Sequence, residues 1–208
     1  MKTKLFIIAI ALCVVNLVSA QEVKKTVKVG NWQLSDVTVT SGKGALTSGF
    51  DTQFGFTNLK NDKLVLFLQA NNDRICATVG KKFGNFKVLE SFAVFKNIPW
   101  TGPMILYSAG PFDAIVWNGV GFAKTNELLA PSYKPQFFFS YEGIGLTFLK
   151  NNRIGASAMW FGTTPVNWFV SYKHNFNIGE KSKLFAECTY NHNLDIPMFV
   201  IGYNLKLK

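Results

Sequence analysis

The sequence predicts an all-β protein, an antiparallel up-and-down transmembrane β-barrel of about twelve strands. Three observations favour this fold. After residue 21 the chain consists of short segments rich in Phe, Val, Ile, Thr and Tyr, separated by Asn, Asp, Gly and Pro. Several segments alternate apolar and polar residues, which gives a strand one apolar and one polar face. The terminal segment 198–207 also alternates, as a membrane-facing closing strand should.

The N-terminus has the features of a secretory signal peptide. Lys2 and Lys4 precede an apolar run over 5–18, and small residues lie at the cleavage position around Ala20. We therefore expect a signal peptide over 1–20, a single barrel domain over 21–208, and export to the outer membrane. An uncleaved anchor is the alternative, although the run is short for a membrane span.

The chain is basic, with a formal net charge of +10. Removal of Lys2 and Lys4 leaves 20 basic and 12 acidic residues, a charge of +8. The charges are scattered, so we expect no nucleic-acid partner. Contact with anionic lipid, a lumen that favours anions, and a solvated basic surface are the remaining interpretations.

Breaks between the apolar segments predict the individual strands. Tight turns are expected at 60–63, 71–73, 84–85 and 151–152, where Asn, Asp and Gly tolerate positive φ. The predicted strands are 27–40, 49–58, 63–70, 74–82, 86–95, 103–109, 112–122, 135–149, 153–161, 166–176, 183–191 and 198–207. A ten-strand barrel preceded by a plug or arm is the alternative, because the first strand has the weakest pattern.

Loop lengths and prolines set the orientation. If Lys208 lies in the periplasm, the outer loops are 41–48, 71–73, 96–103, 123–134, 162–165 and 192–197. Most of these outer loops are longer than the periplasmic turns at the other end of the strands, as in outer-membrane barrels. All seven prolines fall in or beside predicted breaks, which agrees with their exclusion from strand interiors.

The last third of the chain predicts which side chains face the lumen. Trp168, Val170 and Tyr172 alternate with polar residues, and so do the apolar residues of 153–161 and 183–191. The apolar sets are expected to face lipid. The lumen-facing candidates are Arg153, Ser171, Lys173, Glu187, Asn204 and Lys206. Lys173 and Lys206 flank the strand that carries Glu187, which predicts an ion-pair network. Such a network would either favour small anionic or polar solutes or only neutralise charges inside a plugged barrel.

Two regions depart from simple alternation. In 135–149 the apolar parity changes after Tyr141, and a bulge at Glu142-Gly143 would restore one face. A hairpin there is the alternative. Strands 63–70, 86–95 and 112–122 do not alternate cleanly, and 64–68 is apolar on both faces. A soluble β-sandwich or a barrel with a filled apolar core would explain this pattern better than a wide aqueous pore.

Aromatic and cysteine positions give further expectations. Trp100, Trp160, Trp168 and Tyr190 lie near outer strand ends, where ring side chains prefer the headgroup level. Ordinary packing within the sheet is the alternative. Cys76 and Cys188 have opposite parities on distant strands, so we expect no disulfide between them.

Candidate catalytic chemistry is sparse. His192 lies near Asp195 in a predicted outer loop, and His174 is expected to face lipid. Two histidines without a Cys or Asp cluster predict no metal site, and no nucleotide-binding motif is present. We therefore expect no enzyme activity, no catalytic residues and no cofactor; an outer-membrane hydrolase that uses His192 is an alternative.

The signal, the Asn/Asp turns and the terminal Phe199–Leu205 segment resemble small outer-membrane β-barrel proteins of Gram-negative bacteria. The resemblance implies a narrow channel or structural envelope component, with membrane lipid and the assembly machinery as partners. The chain departs from that class by ending in Leu207-Lys208 rather than an aromatic residue. Gly30-Asn31-Trp32 resembles the opening of lipocalins, so a secreted barrel that binds a lipophilic ligand is an alternative. The direction of the aromatic side chains in 198–207 distinguishes these interpretations. They face lipid in an outer-membrane barrel and an internal cavity in a lipocalin.

Overall fold

A computed structural model of the chain describes residues 27–46, 48–71, 73–95, 98–122, 136–162 and 164–207. The predicted signal peptide and the predicted loop 123–134 lie outside these residues. The strands are β1 (Lys28–Val29), β2 (Trp32–Lys43), β3 (Ser48–Asn58), β4 (Leu64–Asn71), β5 (Arg74–Phe83), β6 (Phe86–Phe95), β7 (Ile98–Ala109), β8 (Phe112–Phe122), β9 (Gln136–Phe148), β10 (Asn152–Phe161), β11 (Asn167–Asn177), β12 (Ser182–Asn191) and β13 (Ile196–Lys206). The described residues contain no helix that is long and apolar enough to cross a membrane.

Twelve of these strands form a closed antiparallel barrel. Each strand from β2 to β13 pairs with its neighbours in sequence, and β13 returns to pair with β2. Closure leaves no free sheet edge along these strands. The up-and-down barrel of twelve strands is thus confirmed. The first predicted strand is divided at Gly30, whose φ is 58°, so that β1 forms a short hairpin with β2.

The outer face of the barrel is apolar. Phe199 and Ile201 of β13 are 62% and 60% exposed, whereas Met198 and Val200, which alternate with them, are buried inside. Trp168, Val170, Tyr172 and Ile154 are also exposed on the outer face, as predicted. Such a surface suits lipid. Phe199 and Ile201 therefore point outward, to the lipid-facing side. This direction contradicts the lipocalin alternative, in which they would line an internal cavity.

The predicted bulge at Glu142-Gly143 is wrong. The register of β9 with β8 and with β10 runs without interruption through this point. Phe139 is buried inside the barrel, while Ile144 is 66% exposed outside. The apolar parity changes because large aromatic side chains fill the lumen near the outer end. A register shift does occur at Ser35, between Leu34 and Asp36 of β2.

Prolines lie within two strands, contrary to the prediction. Pro99 and Pro103 belong to β7, and Pro197 belongs to β13. The paired residues of β7 and β8 stop at Thr101 and resume at Met104. Because proline cannot donate a ladder hydrogen bond, it is accommodated where this ladder is interrupted. β7 therefore starts at Ile98, five residues before the predicted strand.

The inner turns are tight. Gly84 and Gly110 both have a φ of 56°, at two predicted turns. The turn between β9 and β10 begins earlier than predicted, because Leu149 and Lys150 have φ angles of 48° and 63°. Cys76 is buried in the lumen and Cys188 lies on the outer parity of β12; both are free thiols, as expected.

Candidate functional site

The six predicted lumen residues all lie on the inward parity of four adjacent strands. Arg153 belongs to β10, Ser171 and Lys173 to β11, Glu187 to β12, and Asn204 and Lys206 to β13. Arg153, Ser171 and Glu187 line one small cavity of about 50 Å³, together with Tyr141, Ser157 and Thr189. Three of the six predicted residues thus line the same small cavity.

Arg153 forms an ion pair with Asp113 of β8. Its Nε donates to Asp113 Oδ2 at 2.8 Å, and its Nη2 donates to the other carboxylate oxygen. To reach Asp113 the guanidinium lies across Gly145 and Gly155, and a Cβ atom at either position would overlap it. A paired guanidinium and carboxylate is a bidentate, geometrically defined contact.

Lys173 rests on an aromatic ring. Its Nζ lies 3.5 Å from the centroid of Phe185, within cation–π range. The Phe185 ring in turn lies flat over Gly202, where any Cβ would overlap it. Among the described residues Lys173 makes no ion pair, although it faces Glu187 in the register of β11 and β12.

The predicted ion-pair network around Glu187 differs from the arrangement observed. Glu187 accepts a hydrogen bond from Thr189 Oγ1 at 3.5 Å, and the acid that pairs with Arg153 is Asp113. Asn204 donates to Thr38 Oγ1 at 2.7 Å. Lys206 is exposed and lies opposite Asp36 in the register. Lys206 therefore belongs to the rim rather than to the cavity wall.

A second polar group near the outer end was not predicted. Asp51 accepts a hydrogen bond from Gln69 at 2.7 Å and lies 3.8 Å from Arg74 Nη2. Both charged side chains are almost fully buried. Asp113 was not recognised because strand 112–122 alternates poorly, and Asp51 was not recognised although the later part of its strand alternates. Phe112 and Val116 are exposed on the outer face of β8 and have the opposite parity to Asp113. Their positions in the sequence could have indicated that Asp113 faces the lumen.

An apolar cluster fills the lumen beside Arg74. Trp100, Trp117 and Phe139 are buried with Cys76 and Ala93, and the two tryptophan rings are 4.9 Å apart. Trp100 was expected at the membrane interface, and this expectation is wrong. Its ring lies flat against Gly119 inside the barrel, a position that a larger residue at 119 would block. Trp160, Trp168 and Tyr190 are exposed outside, as expected.

The segment after β2 also turns into the lumen. Ala45 lines the small cavity beside Arg153, and Leu46 packs against the tryptophan cluster. The predicted outer loop 41–48 is therefore mostly strand up to Lys43, followed by an inward-folded segment. A larger groove of about 580 Å³ lies on the lipid-facing side, between β7 and β11, and not in the lumen.

The histidines lie away from these groups. His174 Nδ1 is 2.8 Å from Asn152 Oδ1 on the outer face. His192 is exposed in the loop before β13, and the carboxylate of Asp195 is engaged by the hydroxyl of Tyr190. The described residues contain no group of three or more side chains that could hold a metal ion.

Comparisons with solved structures identify the fold. The barrel is similar to the KdgM porin, with a TM-score of 0.50, 11% sequence identity, and coverage of 84% of this chain and 99% of that one. It is equally similar to the KdgM porin in complex with disordered oligogalacturonate, with a TM-score of 0.50, 12% identity and the same coverage. No protein-family model matches the sequence. No curated protein matches it either.

At this level of identity the likeness concerns the barrel and not its contents. The fold is a closed antiparallel barrel similar to that of the KdgM porin, and its apolar outer face suits a membrane. The described part of the lumen contains two arginine–aspartate pairs, a lysine on a phenylalanine ring that makes no ion pair within these residues, and a tryptophan cluster.

Proposed function

We propose that the protein is a narrow, non-enzymatic outer-membrane channel that favours small anionic or polar solutes. The observation that carries this proposal is Lys173, a lumenal cation that has no ion-pair partner among the described residues. An ammonium group held against a ring remains able to contact a passing anion, because the ring does not neutralise its charge.

The wider charge balance of the lumen supports an anion preference. The two inward arginines are paired with Asp51 and Asp113. The inward parity of the strands then leaves two carboxylates, Asp36 and Glu187, against five lysines. These lysines are Lys82, Lys87, Lys173, Lys183 and Lys206. They lie in the half of the barrel that contains the short turns, which we assign to the periplasmic side.

The neighbour solved with oligogalacturonate fits this chemistry, because each sugar of that chain carries a carboxylate. We extend to this protein only the charge class of such a solute. We also propose outer-membrane lipid and the envelope's assembly machinery as partners; the apolar outer face supports the contact with lipid.

A closed structural barrel is the second candidate. It is favoured by the tryptophan cluster and by Leu46, which together occupy the outer part of the lumen. The two candidates differ in one measurable property, since only a channel conducts ions.

The test is the current carried by the purified protein in planar lipid bilayers under a salt gradient. We expect discrete conductance steps and a reversal potential that indicates anion preference. Lys173→Gln should lower the anion-to-cation permeability ratio about tenfold, because a unit charge ~6 Å away in water favours an anion and disfavours a cation by ~0.7 kcal/mol each. Lys150→Gln, in a turn outside the lumen, is the matched control. Absence of steps would favour the structural barrel, and an unchanged ratio would contradict the role of Lys173.

The non-enzymatic part of the proposal is tested separately. His192→Ala should leave lipid and peptide hydrolysis by the purified protein at the background level of the unmodified chain. Hydrolysis by the unmodified chain that disappears in the variant would instead support the hydrolase alternative.

A further inference from the structure

We propose that a polar strip on the lipid-facing side of the barrel is the contact surface for a second copy of this chain. The polar strip consists of Glu90 on β6, Thr101 on β7, Asn118 on β8, and Ser140 and Glu142 on β9. It crosses four neighbouring strands, and its two carboxylates are three strands apart, about 14 Å at ~4.8 Å per strand.

The register places Glu90 on the outer face. Val88 and Phe92, two residues away on the same strand, are 45% and 54% exposed. Directly across the ladder Glu90 faces Val79 and Pro103, which are exposed as well. The carboxylate therefore lies within the apolar belt rather than at its edge.

Glu142 has the same orientation. It lies opposite Val116 on β8, which is exposed, and is followed on the same face by Ile144. The other strand carboxylates in the described part of the chain, Asp36, Asp51, Asp113 and Glu187, all point into the lumen. Outward carboxylates are thus confined to this one part of the barrel.

Each outward carboxylate is only half satisfied. Thr101 Oγ1 donates to Glu90 Oε1 at 2.8 Å, and Ser140 Oγ donates to Glu142 Oε1 at 3.2 Å. Among the described residues the second oxygen of each carboxylate accepts no side-chain hydrogen bond. The amide of Asn118, directly opposite Ser140, also makes none within the described residues. Acyl chains offer neither donors nor acceptors, so lipid leaves these groups unpaired at a cost.

A second copy can satisfy them because the polar strip contains both kinds of group. The Asn118 amide brings free donors, and the two carboxylates bring free acceptors, so two such strips facing each other are complementary. Symmetric contacts between identical surfaces are the commonest form of oligomer. Hydrogen bonds between polar side chains are also a recognised source of association inside membranes.

The neighbouring surface has a shape that suits a protein partner. The groove of about 580 Å³ continues from Glu142 toward the short turns and is walled by Ala114, Ile144 and Ala156. The small alanine side chains form its floor. Apolar side chains of a second copy can occupy this recess while the polar strips meet above it.

Disulfide cross-linking in the intact membrane tests the proposal. Asn118→Cys is introduced into a chain in which Cys188 is replaced by Ala, since Cys76 is buried in the lumen. The matched control is Ile201→Cys, which is lipid-facing on the opposite side of the barrel. After oxidation we expect a covalent dimer with Asn118→Cys and none above background with Ile201→Cys. No dimer at Asn118, or equal dimer at both positions, would overturn the proposal.

A second pair of variants tests the chemistry of the contact. In the Asn118→Cys chain, replacing both Glu90 and Glu142 by Leu should lower the dimer yield about tenfold, the effect of ~1.4 kcal/mol. Replacing Phe199 and Ile201 by Leu, on the lipid-facing side of β13 and away from the polar strip, should leave the yield unchanged. The heat-dependent shift of the band on SDS gels checks that each barrel is closed. A closed double-Leu barrel that still cross-links fully would show that the carboxylates do not hold the copies together.

Discussion

Ile201→Lys tests the orientation of the closing strand most directly. Ile201 is 60% exposed on the outer face of β13, which pairs with both β12 and β2. A lysine near the middle of the lipid-facing belt costs about 2–4 kcal/mol. Because ~1.4 kcal/mol is a factor of ten, the equilibrium ratio of folded to unfolded protein should fall about 30- to 700-fold.

The control is Asn204→Lys, which places the same charge on the same strand but toward the lumen. It removes the hydrogen bond to Thr38, which costs about 1 kcal/mol. The assay is a urea titration of the protein folded into lipid vesicles, with the heat-shifted gel band as the measure of closed barrel. With a slope of roughly 2 kcal/mol per molar urea, Ile201→Lys should lower the midpoint by ~1–2 M. A loss no larger than that of Asn204→Lys would refute the assigned orientation of β13.

Three further predictions concern the lumen. Asp113→Asn should destabilise the barrel by about 1–3 kcal/mol, because Arg153 loses a charged partner, and should raise the anion preference in bilayer recordings. Gly202→Leu should displace Phe185 and, with it, Lys173; we expect it to lower the free energy of unfolding by about 1–3 kcal/mol and to change the permeability of the channel. The control Gly179→Ala, in a turn, should change neither property. Trp117→Ala should increase the single-channel conductance and cost about 3–5 kcal/mol in urea titrations; unchanged conductance would show that the tryptophan cluster does not limit flow.

The outer face of the barrel was predictable because lipid imposes one rule on every strand. Positions such as Trp168, Val170 and Ile201 must be apolar, and alternation at period two therefore reveals them. The same rule located Arg153, Ser171, Lys173 and Glu187 on the inward side. Strand count and topology followed from the turns, since Asn, Asp and Gly mark tight hairpins.

The side chains of the lumen were less predictable because polar groups line one part of it and apolar groups fill another. Phe139 and Trp117 pack together inside, so their strands lose the apolar–polar contrast that reveals a face. The partner of Arg153 depends on a diagonal contact across Gly145, which requires the register of three strands and the absence of a side chain. Local sequence patterns contain neither piece of information.

The glycines of the inner wall determine how much of the lumen remains free. Large groups lie flat where a neighbouring strand lacks a side chain: Arg153 over Gly145, Phe185 over Gly202, and Trp100 over Gly119. A group lying along the wall takes up less of the cross-section than one that points toward the barrel axis. Substitution at a glycine can therefore alter the width of the passage without changing any residue that touches a solute, which gives this barrel a way to diversify its permeability while its strands stay the same.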